Sequence, residues 1–306
     1  MSANPISTQP FSREEFASSK CRGLLLVTFA SKEDDVPKRV QMAEETVEQA
    51  EAFRLGDQPY FSRIDILVVD DPRFADTDCG KTKDALIEKL KPHRSTFIAS
   101  PKGDAFSEIK NAGFAIQSRH GIDYTMTLSP EARSYLNQET LDAVSDAACS
   151  GALVVGVAIG ELEESILEGR VAGTFALWHT MAILSVGGMD MHAAGRRKND
   201  QLVRYLKGYG PDGAELFYPL AGVEEVVPCA RLADGHGPCI APILPRGADV
   251  KRYEVPDREK QPELYARHNK KMGTKKERQT AHLNREGYDL SYLKNYGVMP
   301  QYRQKT

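Results

Sequence analysis

Carboxylates stand at the ends of two apolar runs in this chain. Asp123 to Leu128 (DYTMTL) reads as a short strand that runs into Ser129-Pro130-Glu131. A strand ending in an acid beside a proline turn delivers that acid to the C-terminal edge of a sheet, where open α/β folds bind ligands. Ile64 to Val69 (IDILVV) ends in Asp70-Asp71-Pro72, although Asp-Pro by itself also starts turns. Gly80-Lys81-Thr82-Lys83 resembles part of a phosphate loop, but Ala75 stands where its first glycine belongs. A solvated helix face is therefore preferred for Lys81 and Lys83. Asp190 closes the turn Gly187-Gly188-Met189-Asp190, and Asp200 follows the basic run Arg196-Arg197-Lys198-Asn199. Asp234-Gly235-His236-Gly237-Pro238-Cys239 is a compact polar turn, and the spacing of Cys229 and Cys239 matches no standard zinc pattern.

These residues need a framework, and the hydrophobic pattern supplies one. Gly23 to Phe29 (GLLLVTF) is a continuous apolar run, the signature of a strand buried on both faces. Val40, Ala43, Val47 and Ala50 recur at spacings of three and four, which predicts a helix over Arg39 to Phe53. The strand Ile64–Val69, a helix over Lys81–Leu90 and a strand over Ser95–Ala99 follow. This alternation argues for a parallel sheet with right-handed crossovers. Further along come a helical turn or two from Lys110, the strand ending at Leu128, a helix over Gln138–Ser150 and a buried strand over Ala152–Ile159. Glu161–Leu167 reads as a short acidic helix or loop, and Thr174–Ser185 as an apolar segment closed by a glycine turn. After Gly208 the pattern loosens.

The 306 residues suit one large domain, or one domain with appendages. A net charge of −3 gives no reason to expect nucleic acid as a partner. No apolar run approaches the roughly 18 residues needed to cross a bilayer. The N-terminus lacks a basic-then-apolar signal pattern, so the expectation is a cytoplasmic chain whose five scattered cysteines stay reduced.

The order of elements and five short motifs resemble the GT-A fold of nucleotide-sugar-dependent glycosyltransferases, most closely the family-2 type. The motifs are the strand exit Val27-Thr28-Phe29-Ala30, then Val68-Val69-Asp70-Asp71, then Gly103-Asp104-Ala105 with Asn111-Ala112-Gly113. Gly121-Ile122-Asp123-Tyr124 and Val186-Gly187-Gly188-Met189-Asp190 complete the set. The resemblance covers about residues 22 to 205. It departs at one point: the family ends its fourth strand with Asp-x-Asp, which holds Mg²⁺ or Mn²⁺ against the donor diphosphate, and this chain has Ser129-Pro130-Glu131.

The resemblance implies roles residue by residue. Thr28, Glu33, Asp70 and Asp71 would meet the donor's base or ribose, and Gly103 and Asp104 its diphosphate or sugar. Ser129 and Glu131 would stand at the diphosphate, with Glu131 as a divalent-cation ligand and His236 as a second one from the C-terminal part. Asp190 or Asp200 would deprotonate the acceptor hydroxyl. Trp178 is expected in the core, with stacking on an acceptor sugar as the alternative, and His179 and His192 are expected to be structural. The expected organisation is a polar leader (1–21), a GT-A-like, mostly parallel core flanked by helices (22–208), and an irregular acceptor-side region (209–306). The basic run Arg267 to Arg278 reads as a solvated helix face or as a lid over the diphosphate. Two functions stay open: an inverting transferase moving sugar from a nucleotide-diphosphate sugar to a hydroxyl acceptor, or a silent relative that binds a nucleotide or partner. A nucleotidyltransferase is disfavoured because the loop SKEDD after the first strand is acidic.

Overall fold

The computed structural model describes residues 6, 8–30, 36–69, 79–91, 95–99, 106–157, 171, 173–190, 196–198, 201–203, 205–209, 215–219, 223–244, 258–260, 262, 265, 266, 269, 273 and 275–303. Its centre is a seven-stranded sheet. The strands are β1 (Arg22–Phe29), β2 (Arg63–Val69), β3 (Ser95–Ala99), β4 (Tyr124–Leu128), β5 (Val154–Val157), β6 (Phe175–His179) and β7 (Ile240–Ile243). Their order is β7-β5-β6-β4-β1-β2-β3. Strands β1 to β4 are parallel, as the alternation of strands and helices implies, and β5 pairs in parallel with β7. Strand β6 alone runs against both its neighbours, β4 and β5.

Both faces of the sheet are covered, which is why its strands read as continuous apolar runs. Leu24 and Leu26 point into one core, and Leu25 and Val27 into the other. Helix α2 (Val36–Ala52) covers the first face with Val40, Ala43, Val47 and Ala50, the residues its periodicity had picked out. Helix α3 (Cys79–Leu90) packs beside α2, and helix α5 (Gln138–Cys149) closes the same core with Leu141, Val144, Ala147 and Ala148. Helix α4 (Phe106–Arg119) covers the second face with Ile109 and Phe114.

Four sequence expectations change. Residues expected to form a loose leader include helix α1 (Arg13–Ser19), capped by the Ser12 hydroxyl on the Glu15 N–H. Its Phe16 is fully buried against Phe11 and Tyr124. The buried Arg22 guanidinium donates to the carbonyls of Phe16, Lys20 and Tyr60, tying this segment to the sheet. The helix expected to last a turn or two from Lys110 is the 14-residue α4. The apolar segment Thr174–Ser185 divides into β6 and helix α6 (Thr180–Ser185), and His179 Nδ1 caps the new helix by accepting from the Ala182 N–H.

Finally, the chain does not leave the sheet at Gly208. After two short antiparallel ribbons (Arg196–Lys198 with Gln201–Val203, and Tyr205–Tyr209 with Glu215–Pro219), helix α7 (Val226–His236) leads into β7. Helix α8 (Lys275–Arg285) then packs against α7. Trp178 is fully buried in β6, its indole N–H donating to Thr127 Oγ1 at 3.2 Å, so the packing expectation stands. No helix among the described residues is long and apolar enough to cross a membrane.

Candidate functional site

Parallel strands bring their C-terminal ends to one edge, and the described candidates can be placed relative to it. Thr28 lies near the end of β1, fully buried, and its hydroxyl has no hydrogen-bond partner among the described residues. Ser129 and Glu131 follow β4, in a turn of 3-10 helix (Pro130–Tyr135). The Ser129 N–H donates to the Thr174 carbonyl at 3.0 Å, which fixes the corner to the entry of the antiparallel strand β6. Both oxygens of Glu131 are engaged: the Ser129 hydroxyl donates to one, and Arg39, in the first turns of α2, pairs with the other.

Asp190 reaches the same edge by way of α4. Asn111 donates to the Met189 carbonyl and accepts from the Met189 N–H, and the Ser107 hydroxyl donates to the Asp190 carbonyl. Gly188 makes this fit possible: its φ is +75°, and a Cβ there would meet Asn111 Oδ1 at 2.2 Å. The paired motifs Asn111-Ala112-Gly113 and Gly187-Gly188-Met189-Asp190 are therefore one packing unit. Asp190 is nearly buried; Arg285 on α8 donates to its carboxylate at 3.2 Å, and the buried His282 Nδ1 lies 3.2 Å away without hydrogen-bond geometry.

Beside Asp190 lie residues that the sequence reading passed over. The Asp190 N–H donates to the Glu224 carbonyl. Glu224 and Glu225 immediately precede α7, and both side chains are buried around Lys110 Nζ, at 3.4 and 3.2 Å. Burial pushes the Glu225 carboxyl up to about 7, and the Glu224 charge adds to this while Lys110 opposes it. The acids also pack against the segment leading into β6, to which the corner is bonded, because a Cβ on Gly173 would fall 1.5 Å from Glu225 Oε1 and 2.8 Å from Lys110 Nζ. The signal available in sequence was two adjacent acids opening an amphipathic helix; nothing local pointed to Lys110 as their partner.

His236 is not part of this group. It ends α7, just before β7 begins, and so lies at the opposite edge of the sheet near His179, whose strand position pairs with Tyr124 at the start of β4. Strand β4 alone places roughly 16 Å between that edge and Glu131. The expected pairing of Glu131 with His236 as metal ligands is therefore corrected: one fold cannot bring both to one ion. Glu33, Asp70, Asp71, Gly103, Asp104 and Asp200 lie outside the described residues, as do His192 and Glu161–Leu167. Of the basic run, the stretch from Lys275 onward forms the start of α8, with Arg278 buried.

Among the described residues no group of three or more His, Cys, Asp or Glu side chains could hold a metal ion. A divalent cation of the Mg²⁺ or Mn²⁺ kind takes oxygen ligands, mainly carboxylates. Among the described residues the corner offers one carboxylate, already paired with a guanidinium, and these alone do not make up the donor set of such an ion.

A mostly parallel sheet with one reversed strand and helices on both faces is an α/β fold of the GT-A-like kind. A solved mannosyltransferase from Pyrobaculum calidifontis, in complex with GDP-mannose and Mn²⁺, is similar in structure, with a TM-score of 0.54 and 15% identity over 95% of this chain and 70% of that one. A 4-diphosphocytidyl-2C-methyl-D-erythritol synthase from Anaerococcus prevotii matches at a TM-score of 0.40 and 9% identity, over 82% of this chain and 97% of that one. No family model matches the chain, and no curated protein matches it significantly in sequence.

Proposed function

We propose that this protein is a glycosyltransferase that takes sugar from a nucleoside-diphosphate sugar and gives it to a hydroxyl acceptor with inversion. The observation that carries this reading is the buried Lys110–Glu224–Glu225 group at the same sheet edge as the Ser129–Glu131 corner. The donor lies across the ends of β1, β2 and β4, and Thr28, Ser129, Asp70, Asp71, Gly103 and Asp104 are the residues proposed to contact it. A carboxyl whose pKa is near 7 is matched to proton abstraction at neutral pH. Glu225 then takes the acceptor's hydroxyl proton as that oxygen bonds to the anomeric carbon. The bond from that carbon to the diphosphate oxygen breaks, and nucleoside diphosphate leaves with the electron pair. Glu225 fills the role for which the sequence had offered Asp190 or Asp200, and Asp190 positions α8 through Arg285.

The test is a thermal-shift panel of UDP-, GDP- and dTDP-sugars, followed by release of nucleoside diphosphate from the sugar that stabilises. Glu225→Gln is expected to retain donor binding and lose about 10²–10⁴-fold in rate, the usual contribution of a general base. Stabilisation without turnover in the wild-type protein would instead favour the second function left open above, a silent nucleotide-binding relative. The ion-paired state of Glu131 is the observation on that side.

A further inference from the structure

The corner after β4 is where a metal-dependent donor site would need its acids, and it is arranged differently here. Glu131 is the corner's one carboxylate, and its two oxygens are occupied by Ser129 and Arg39. Arg39 is mostly buried, with its side chain 19% exposed. Thr28 and Leu26 alternate on the α2 face of β1, and Leu26 pairs with Leu128, so Thr28 lies beside the start of this corner. Its hydroxyl is buried and unpartnered among the described residues. Arg39 and the Ser129 hydroxyl thus meet at Glu131, and the strand register sets Thr28 on the same side of the edge. An arginine presents a planar fork of N–H groups matched to phosphate oxygens, and it carries its charge at every working pH.

We infer that the donor's diphosphate is bound here without a divalent cation, by Arg39 with the hydroxyls of Thr28 and Ser129. This rests on the donor reading above. On nucleotide binding, Arg39 exchanges Glu131 for a phosphate oxygen, or bridges both. The competing explanation is that Arg39 merely stitches α2 to the turn after β4, as Arg133 does with Glu45 in the same pair of elements.

The experiment is calorimetric titration with UDP, GDP, dTDP, the matching nucleosides and inorganic pyrophosphate, each in Mn²⁺ and in EDTA. The expected result is that one nucleoside diphosphate binds with the same affinity in both. Arg39→Met should weaken it about 10–100-fold, the range for lost hydrogen bonds to a charged group, while leaving the nucleoside's affinity alone. Glu131→Gln should keep or tighten diphosphate binding, because it releases the guanidinium. Should Arg39→Met fail to fold, Arg39→Lys, which keeps charge and loses the fork, is expected to weaken the diphosphate and pyrophosphate only. Binding that requires Mn²⁺ would overturn this inference and leave the donor reading intact. So would Arg39→Met and Glu131→Gln destabilising the fold alike with affinities unchanged. No binding of any nucleotide in either condition would remove the donor reading itself, and this inference with it.

Discussion

Lys110 Nζ lies 3.2 Å from a carboxylate oxygen of Glu225 and 3.4 Å from one of Glu224, with all three side chains buried. Lys110 is the cation closest to both acids, with Arg278 and Lys275 acting on them from α8. Removing the lysine would take away the pair's nearest positive charge. Lys110→Met is therefore expected to lose about 3–5 kcal/mol of stability, the cost of breaking a buried ion pair from one side. Urea denaturation measures it, and a loss below 1 kcal/mol would show that water reaches the acids.

The raised pKa of Glu225 has a definite sign in the pH dependence of stability. Its ordinary value is 4.5 and its folded value about 7, so between these the folded state holds more proton than the unfolded chain. Stability from this group is present below pH 4.5 and is lost as pH rises to about 7, by an amount on the order of 1–3 kcal/mol. Glu286 runs the other way. Its pKa is lowered, first by the Arg231 hydrogen bond, and it loses stability only as pH falls through the ordinary carboxylate range and below. Denaturation midpoints at pH 5.5 and 7.5 isolate the Glu225 contribution, and Glu225→Gln should flatten the difference.

Gly173 and Gly235 predict opposite outcomes for the same substitution. A Cβ on Gly173 would stand 1.5 Å from Glu225, so Gly173→Ala must displace that acid and should cost about 2–3 kcal/mol. A Cβ on Gly235, within α7, meets nothing within 4 Å. Gly235→Ala should gain up to about 1 kcal/mol from helix propensity. Thermal melts of the two variants side by side give the comparison, and equal effects would contradict the placement of Glu225.

The N-terminal segment should detach when its anchor is removed. Arg22 supplies donors to the carbonyls of Phe16, Lys20 and Tyr60 from a buried position. Arg22→Met is expected to cost about 3 kcal/mol, a few charge-assisted hydrogen bonds less what packing retains. Limited trypsin digestion should then cut at Arg13 or Lys20 before the sheet is attacked. Unchanged digestion would mean that Phe16 holds α1 by itself.

Glu131 and His236 stand at opposite edges of the sheet, so their substitutions should not couple. Glu131→Gln and His236→Ala are expected to add within about 0.5 kcal/mol in stability, as distant sites do. A larger coupling, or one appearing only with Mn²⁺, would return them to a shared site.

Local sequence was sufficient for features that depend on neighbours along the chain. The apolar run of β1, the helical spacing of Val40, Ala43, Val47 and Ala50, and the corner after β4 all follow from side-chain period and turn chemistry. Burial on both faces makes such strands legible, because every residue is then apolar whichever way it points. What depended on partners distant in sequence was not legible. The reversal of β6 is fixed by its pairing with β4 and β5, and its five residues carry no mark of direction. Gly188 read only as part of a glycine turn, and Gly173 drew no reading, until Asn111 and Glu225 are packed against them. Glu224 and Glu225 drew no reading from the sequence, and only the fold sets Lys110 between them. His236 shows the reverse error. A histidine in a polar turn is a plausible ligand from its residue type alone, and the direction of α7 carried it to the wrong edge. Residue chemistry nominates candidates, but a parallel sheet decides at which end of the molecule each one stands.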